Sequence, residues 1–215
     1  MRPAEKWHEE EMKSVAEGAQ TLVVGLGATG LSVARFLASE GKDVLVIDSR
    51  SRPPRLADLR NSYPEIPVIV ESLDVEWLKG VSQVVLSPGL SLDIPIAVEA
   101  ERVGIPIISD IELFSQNVGA PVIAVTGSNG KSTVDSLLER MLSATGRQIA
   151  AGGNLGPPAL DLLNSEIQIY LLEISSFQME TTKSLNPIAA AVLNLSPDHL
   201  DRHKNLDRYV YLKSK

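Results

Sequence analysis

Twice along this chain a short apolar run empties into a glycine-rich turn and then into a helical stretch. The first run, Thr21–Gly25 (TLVVG), leads into Gly25-Leu26-Gly27-Ala28-Thr29-Gly30 and a helix expected over about 29–40. The second, Pro121–Thr126 (PVIAVT), leads into Gly127-Ser128-Asn129-Gly130-Lys131-Ser132-Thr133 and a helix expected over 134–144. A strand that turns on glycines into a helix has to cross back before the next strand, and this selects parallel sheets built from βαβ units. The intervening apolar runs agree: Asp43–Asp48, Val68–Val70, Gln83–Leu86 and Pro106–Ile108 in the first half, Gln148–Ala151, Ile167–Ile174 and Ile188–Leu195 in the second. They are short and do not alternate, as expected of strands covered on both faces. Ile94–Val103 also reads as a helix. The second long helix carries Val134, Leu137, Leu138, Met141 and Leu142 on one face, which predicts that this face is buried.

The two series are separated by a polar break, Ser115–Ala120. The expected organisation is an N-terminal extension (1–20), a Rossmann-like unit (21–114) and a partial P-loop-type α/β unit (115–215). The extension is charged, without the apolar core of a secretory signal, and reads as a short exposed helix or a disordered lead-in. The last helix, Leu206–Lys215, has no capping residue and is read as the end of a truncated chain.

Composition closes off several classes. Lys and Arg total 20 against 27 Asp and Glu, so a net charge of −7 argues against broad nucleic-acid or anionic-membrane binding. Cysteine is absent, which removes disulfides, thiolate zinc sites and a cysteine nucleophile. No run reaches the roughly 18 apolar residues of a membrane helix. The expectation is a soluble, cytoplasmic protein.

Gly25–Gly30 is G-x-G-x-x-G between a strand and a helix, with Asp48 closing the second strand about 20 residues on, where a Rossmann acid meets a ribose. It reads as a site for a phosphate-bearing ligand, or as a turn required only for helix–sheet packing. Ser87-Pro88-Gly89 follows another strand and either joins the same crevice or is a plain turn. Gly127–Thr133 is the stronger signal: its backbone N–H groups can cradle phosphates, Lys131 can reach them and Ser132 can ligate Mg²⁺. Val125 stands where the full P-loop pattern has its first glycine. Glu173, at a strand end, is the right ligand type for Mg²⁺, though alone it reads better as an exposed or salt-bridged acid. His199 and His203 are spaced i, i+4, but the glutamate of a zinc protease is missing between them. Asp198 reads as a cap for the following helix. Lys213 and Lys215 alone read as solvated charges.

Together these residues resemble the Mur ligases of bacterial cell-wall synthesis. The matching segments are GLGATGLS (25–32), DIELF (110–114), VTGSNGKST (125–133), GGNLG (152–156), LEISSFQME (172–180) and NLSPDHLDRH (194–203). GSNGKST is shared with the wider ATP-dependent group that includes folylpolyglutamate ligases. LEISSFQ with DHLDRH resembles the branch that adds D-glutamate. The resemblance implies an ATP-dependent acid–amino-acid ligase joining D-glutamate to UDP-N-acetylmuramoyl-L-alanine through an acyl phosphate. It implies that the first glycine turn holds a uridine diphosphate, with Gly27, Ala28 and Thr29 at the diphosphate, and Asp48, Ser49, Arg50, Ser87, Pro88 and Gly89 near uracil and ribose. It implies ATP at Gly127, Ser128, Asn129, Gly130, Lys131, Ser132 and Thr133, and Mg²⁺ at Ser132, Glu173 and His199. Asn154 and His199 would touch substrate, and Lys131, His199 and Lys213 would be catalytic, Lys213 as a carbamylated lysine bridging metals. It further implies a monomer at full length, and more central domain plus a C-terminal domain beyond Lys215. Without those, these residues are expected to hold the substrate site and half the ATP site but not to complete ligation, and to leave an open sheet edge that favours association. The alternatives are an NAD-dependent oxidoreductase built on the first glycine turn, which leaves GSNGKST and DHLDRH unexplained, and a non-catalytic nucleotide-binding module.

Overall fold

The computed structural model describes residues 20–215, and the lead-in expected at the N-terminus lies outside them. The chain divides into two compact units between Ile107 and Ile108.

The first unit runs β1 (Thr21–Val24), α1 (Ala28–Ser39), β2 (Val44–Asp48), α2 (Leu56–Ser62), β3 (Val68–Val70), β4 (Gln83–Leu86), α3 (Pro95–Arg102) and β5 (Ile107–Ile108). The strands lie in the order β3-β2-β1-β4-β5, with β1 parallel to both β2 and β4. Every residue of β1 and β2 is buried, the reason their sequence does not alternate. Leu22, Val24, Leu45, Ile47, Val84 and Leu86 make the core with Trp77, Ile96, Ala97 and Ala100. Each such aliphatic side chain contributes roughly 1.5–3 kcal/mol when fully buried. The chain leaves β1 in one direction and β4 in the other, so the crevice of this unit opens at the C-terminal ends of these two strands.

The second unit runs α4 (Asp110–Ser115), β6 (Val122–Thr126), α5 (Lys131–Ser143), β7 (Ile149–Gly153), β8 (Ile169–Glu173), α6 (Ser176–Glu180), β9 (Ala189–Val192), α7 (Leu200–His203) and α8 (Leu206–Ser214). Its parallel sheet has the order β7-β8-β6-β9. Val125 pairs with Glu173 and Thr126 with Val192, so β6, β8 and β9 end level with one another. That register assembles the site.

The division falls before α4, whereas the polar break placed it after Phe114. Hydrogen bonds explain the difference. Glu112 accepts the N–H groups of Lys183 and Ser184 at 2.6 and 2.8 Å, and Ser109 meets Thr182 at 2.8 Å. Gln178 donates its amide to the Asp110 carboxylate at 3.0 Å. Two further expectations fail at the surface. The apolar face of α5 is not covered, with Leu137 and Met141 55% and 68% exposed. β9 is largely exposed too, unlike the fully buried β8. Periodicity identifies side chains that gain from burial, but not what covers them. No helix among the described residues is long and apolar enough to cross a membrane.

Candidate nucleotide and substrate sites

In the first unit, the backbone carbonyl of Gly25 governs the glycine turn. A Cβ on Gly30 would lie 1.9 Å from that oxygen, so α1 packs at this distance only with glycine there. Gly27 is different: a Cβ on it would meet nothing within 4 Å. Folding therefore requires Gly30, whereas Gly27 leaves open space at the N-terminus of α1, where N–H groups and the helix dipole favour an anion. A cavity of about 370 Å³ opens there, lined by Gly25, Gly27, Ala28, Thr29, Asp48, Ser49, Arg50, Ser87, Pro88, Gly89 and Leu90. All nine residues expected at a uridine diphosphate thus share one cavity. Ser87 also donates to the Gly25 carbonyl at 3.0 Å, tying the β4 loop to the glycine turn.

Asp48 is already engaged. Its Oδ2 accepts the Leu26 N–H at 2.7 Å, and the Arg50 guanidinium clasps both oxygens, at 2.8 Å through Nε and 2.6 Å through its terminal nitrogen. Burial pushes this carboxyl up, but the hydrogen bonds from Arg50 and the two backbone N–H groups outweigh it and hold it below its ordinary value. A ribose diol bound in the dinucleotide manner would have to displace Arg50. Asp48 instead aims a half-exposed guanidinium along the cavity rim.

In the second unit, β6 delivers the loop Gly127–Gly130 to the N-terminus of α5, with Gly130 left-handed at the cap. Asn194, just past β9, braces this loop. Its carbonyl accepts the Ser128 N–H at 3.0 Å, and its amide exchanges a pair of bonds with the backbone of Asn129, at 2.9 and 2.8 Å. Two of the loop N–H groups expected to cradle phosphate are therefore used internally. The N–H groups of Lys131, Ser132 and Thr133, in the first turn of α5, have no intrahelical acceptor and face the anion position. Lys131 folds back over the loop, donating to the carbonyls of Gly127 and Ser128 at 3.0 and 3.1 Å. Ser128 also bonds the Tyr209 hydroxyl at 2.7 Å, which docks α8 against the loop.

Glu173, only 2% exposed, sits at the level end of β8. Its Oε2 accepts the Ser132 hydroxyl at 2.9 Å and its Oε1 the Asn154 amide at 2.8 Å. Asn154 reaches it because Gly153, with φ of +108°, lets β7 pass where a Cβ would lie 2.4 Å from the Glu173 carbonyl. Lys213 reaches in from α8, donating to Thr126 Oγ1 at 3.1 Å and the Gly127 carbonyl at 3.0 Å. Desolvation lowers its ammonium to about 8, with Lys131 adding to the shift and Asp198 and Glu173 opposing it. Lys213 is thus a buried amine inside the site rather than the solvated charge its sequence context suggests.

The two histidines do not form a pair. His203 is buried against Ser176, while His199 is about half exposed and left-handed, with φ of +51°. Asp198 does not cap α7; it accepts the His199 N–H at 3.0 Å, and His199 holds the cap position. No cluster of three or more His, Asp or Glu side chains among the described residues forms a ready metal cage. Ser132 and Glu173 nevertheless fit Mg²⁺, which takes one or two protein oxygens and completes its shell with water and phosphate. Sequence reasoning missed the brace from Asn194, the Ser128–Tyr209 contact and Asp135. The last lies one turn past Lys131, with a buried oxygen that has no hydrogen bond. Desolvation raises its carboxyl to about 6, with Glu173 adding to the shift.

Two parallel α/β units, one with a Rossmann-like glycine turn and one with a phosphate loop backed by Ser132 and Glu173, define a nucleotide-handling class. The family follows from sequence. The MurD-like N-terminal domain of Mur ligases matches residues 19–109, and the Mur ligase middle domain matches 125–215. The chain belongs to the Mur ligase family. UDP-N-acetylmuramoylalanine–D-glutamate ligase from Nitrosococcus oceani is 51% identical over 198 residues, covering 92% of this chain and 44% of that protein. The enzyme of that name from Pseudomonas syringae is 49% identical, covering 89% and 43%. The chain therefore spans less than half the length of these relatives. Among solved structures, the UDP-N-acetylmuramate:L-alanyl-γ-D-glutamyl-meso-diaminopimelate ligase from Neisseria meningitides superposes with a TM-score of 0.57 at 21% identity, over 90% of this chain and 66% of that one. UDP-N-acetylmuramate–alanine ligase from Thermotoga maritima gives 0.55 at 24%, over 90% and 45%. These two establish the shared fold.

Proposed function

We propose that this chain carries the UDP-substrate site and the phosphate-loop half of the ATP site of a cytoplasmic, monomeric ligase that joins D-glutamate to UDP-N-acetylmuramoyl-L-alanine. The observation that carries the reading is the Ser132–Glu173–Asn154 cluster beneath the phosphate loop, in a chain 51% identical to a D-glutamate-adding ligase. In the reaction, the alanyl carboxylate attacks the γ-phosphate of ATP to give an acyl phosphate, and the amine of D-glutamate then displaces phosphate to form the amide. Two anions have to approach each other, so the residues around them act mainly by offsetting charge.

Lys131 exchanges the Gly127 and Ser128 carbonyls for phosphate oxygens, and the free N–H groups of Lys131–Thr133 bind the same anion. Ser132 and Glu173, with His199 as the further ligand, would hold Mg²⁺, which would supply charge neutralisation at the phosphates. Asn154 keeps Glu173 oriented and, being exposed, is left free to meet substrate. Lys213, with its amine lowered to about 8, is partly neutral near neutral pH, the state in which an amine takes up CO₂. Its carbamate would add a metal-bridging carboxylate. Gly27, Ala28 and Thr29 hold the diphosphate, and Arg50, Ser49 and the Ser87–Gly89 loop recognise the nucleoside.

Calorimetric titration with ATP in the presence of Mg²⁺ tests the second unit. One saturable site is expected, weakened at least tenfold by Lys131→Ala. In Glu173→Gln, the gain in affinity that Mg²⁺ brings disappears. A folded chain that binds no nucleotide, or binds it equally well as Lys131→Ala, would refute the assignment.

A further inference from the structure

A second buried cluster lies in the same unit, and none of the assigned roles uses it. Arg202 pairs with Glu180 Oε2, and His203 Nδ1 stands 3.5 Å from Glu180 Oε1. On its other side, His203 Nε2 meets the Ser176 hydroxyl at 2.9 Å. Serine, histidine and acid in line resemble a nucleophile with its base, but Ser176 and His203 are both sealed from solvent, so no substrate reaches them. The cluster instead surrounds Phe177. The Arg202 guanidinium lies 5.0 Å over the Phe177 ring, and the His203 ring is 5.3 Å from it. The His199 ring rests on the same phenyl at 4.7 Å. The His199 carbonyl also accepts the N–H groups of Arg202 and His203, at 3.0 and 2.9 Å.

His199 needs such support. Its backbone is left-handed, a conformation a non-glycine residue holds only when its surroundings enforce it, and its side chain is half exposed. Phe177 lies on α6, four residues past Glu173 at the end of β8, so the phenyl ties the His199 ring to the segment that continues directly from that carboxylate. A buried ion pair adds little net stability but is costly to break from one side, which suits it to holding one geometry.

We propose that Glu180, Arg202 and His203 act through Phe177 as a positioning clamp on the His199 imidazole, and thereby set how tightly a divalent cation is held with the nucleotide. The second clause rests on the nucleotide reading above; the first does not. The clamp is read by NMR on histidine-labelled chain without metal, with His199 assigned by His199→Gln. In the wild type, the His199 ring protons carry an upfield ring-current shift from Phe177. Phe177→Leu should abolish that shift and Phe177→Tyr should retain it. Glu180→Gln should reduce the shift. Mn²⁺ binding in the presence of ATP, followed by electron paramagnetic resonance, should weaken at least fivefold in Phe177→Leu and Glu180→Gln and stay unchanged in Phe177→Tyr. ATP affinity in chelator should not change in any of them.

Unshifted His199 protons in the wild type, or the same shift in Phe177→Leu, would overturn the clamp. Unchanged Mn²⁺ affinity despite a released ring would overturn its role toward the cation. If Phe177→Leu does not fold, Glu180→Gln and Arg202→Lys carry the same readouts. A wild-type chain that holds no Mn²⁺ with ATP removes the nucleotide reading and with it the cation role, while the ring shift still decides the clamp.

Discussion

Lys213→Met should stabilise the second unit at neutral pH and lose that advantage in alkali. The Lys213 ammonium falls from 10.5 to about 8 because burial disfavours its charge. A lysine with a lowered folded-state value is a burden while it stays protonated, and the burden fades as pH rises from the folded toward the unfolded value. At 1.36 kcal/mol per unit, the penalty is about 3 kcal/mol at pH 7 and about 1.4 kcal/mol at pH 9.5. Methionine fills a similar volume without charge. It also removes two hydrogen bonds, to Thr126 Oγ1 and the Gly127 carbonyl, worth about 1 kcal/mol each. The net expectation is a gain of about 1 kcal/mol at pH 7 and a loss of up to about 1 kcal/mol at pH 9.5. Urea unfolding of both chains in CO₂-depleted buffer, which keeps the amine free, measures the difference. A difference independent of pH would show that Lys213 does not carry a buried charge and would remove the basis for its carbamylation.

Asp110 has the opposite sign. Burial raises its carboxyl from 3.8 to about 6, so the folded state prefers it protonated and pays about 3 kcal/mol above pH 6, less as pH falls toward 4. Asp110→Asn should therefore gain in melting temperature relative to wild type as pH rises from 4 to 7, and a constant offset would contradict this. The two glycines of the first turn should separate folding from binding. Gly30→Ala sets a Cβ 1.9 Å from the Gly25 carbonyl and should cost about 3 kcal/mol or more. Gly27→Ala meets nothing and should change stability by about 1 kcal/mol or less, yet weaken a UDP-sugar at least tenfold. Equal effects of the two on stability would make the turn a packing device alone.

Much of the fold was legible because its signals are local. Runs such as TLVVG and IYLLE read as buried strands from composition alone, and each glycine turn lies between its strand and helix in the sequence. Two short helices were not legible: α4 and α6 have six and five residues, too few to show a period. The capping box joining Ser175 and Gln178 marks the start of α6 only once the strand before it is known to end at Glu173. Ser132, Asn154 and Glu173 come from three segments, and only the parallel register of β6, β7 and β8 brings them together. Family resemblance supplied that grouping, because spacing alone carries no such information. The burial of Lys213 was hidden for the same reason, since α8 alone does not reveal that Tyr209 docks it on the loop.

The central claim is that the first glycine turn takes a uridine diphospho-sugar rather than a dinucleotide. Calorimetric titration of the folded chain with UDP-N-acetylmuramoyl-L-alanine, with NAD⁺ as the comparison, tests it most directly. One saturable site for the former, lost in Gly27→Ala, and no binding of NAD⁺ is the predicted result. Binding of NAD⁺, or no binding of the UDP-sugar by a chain whose folding has been verified, would contradict it.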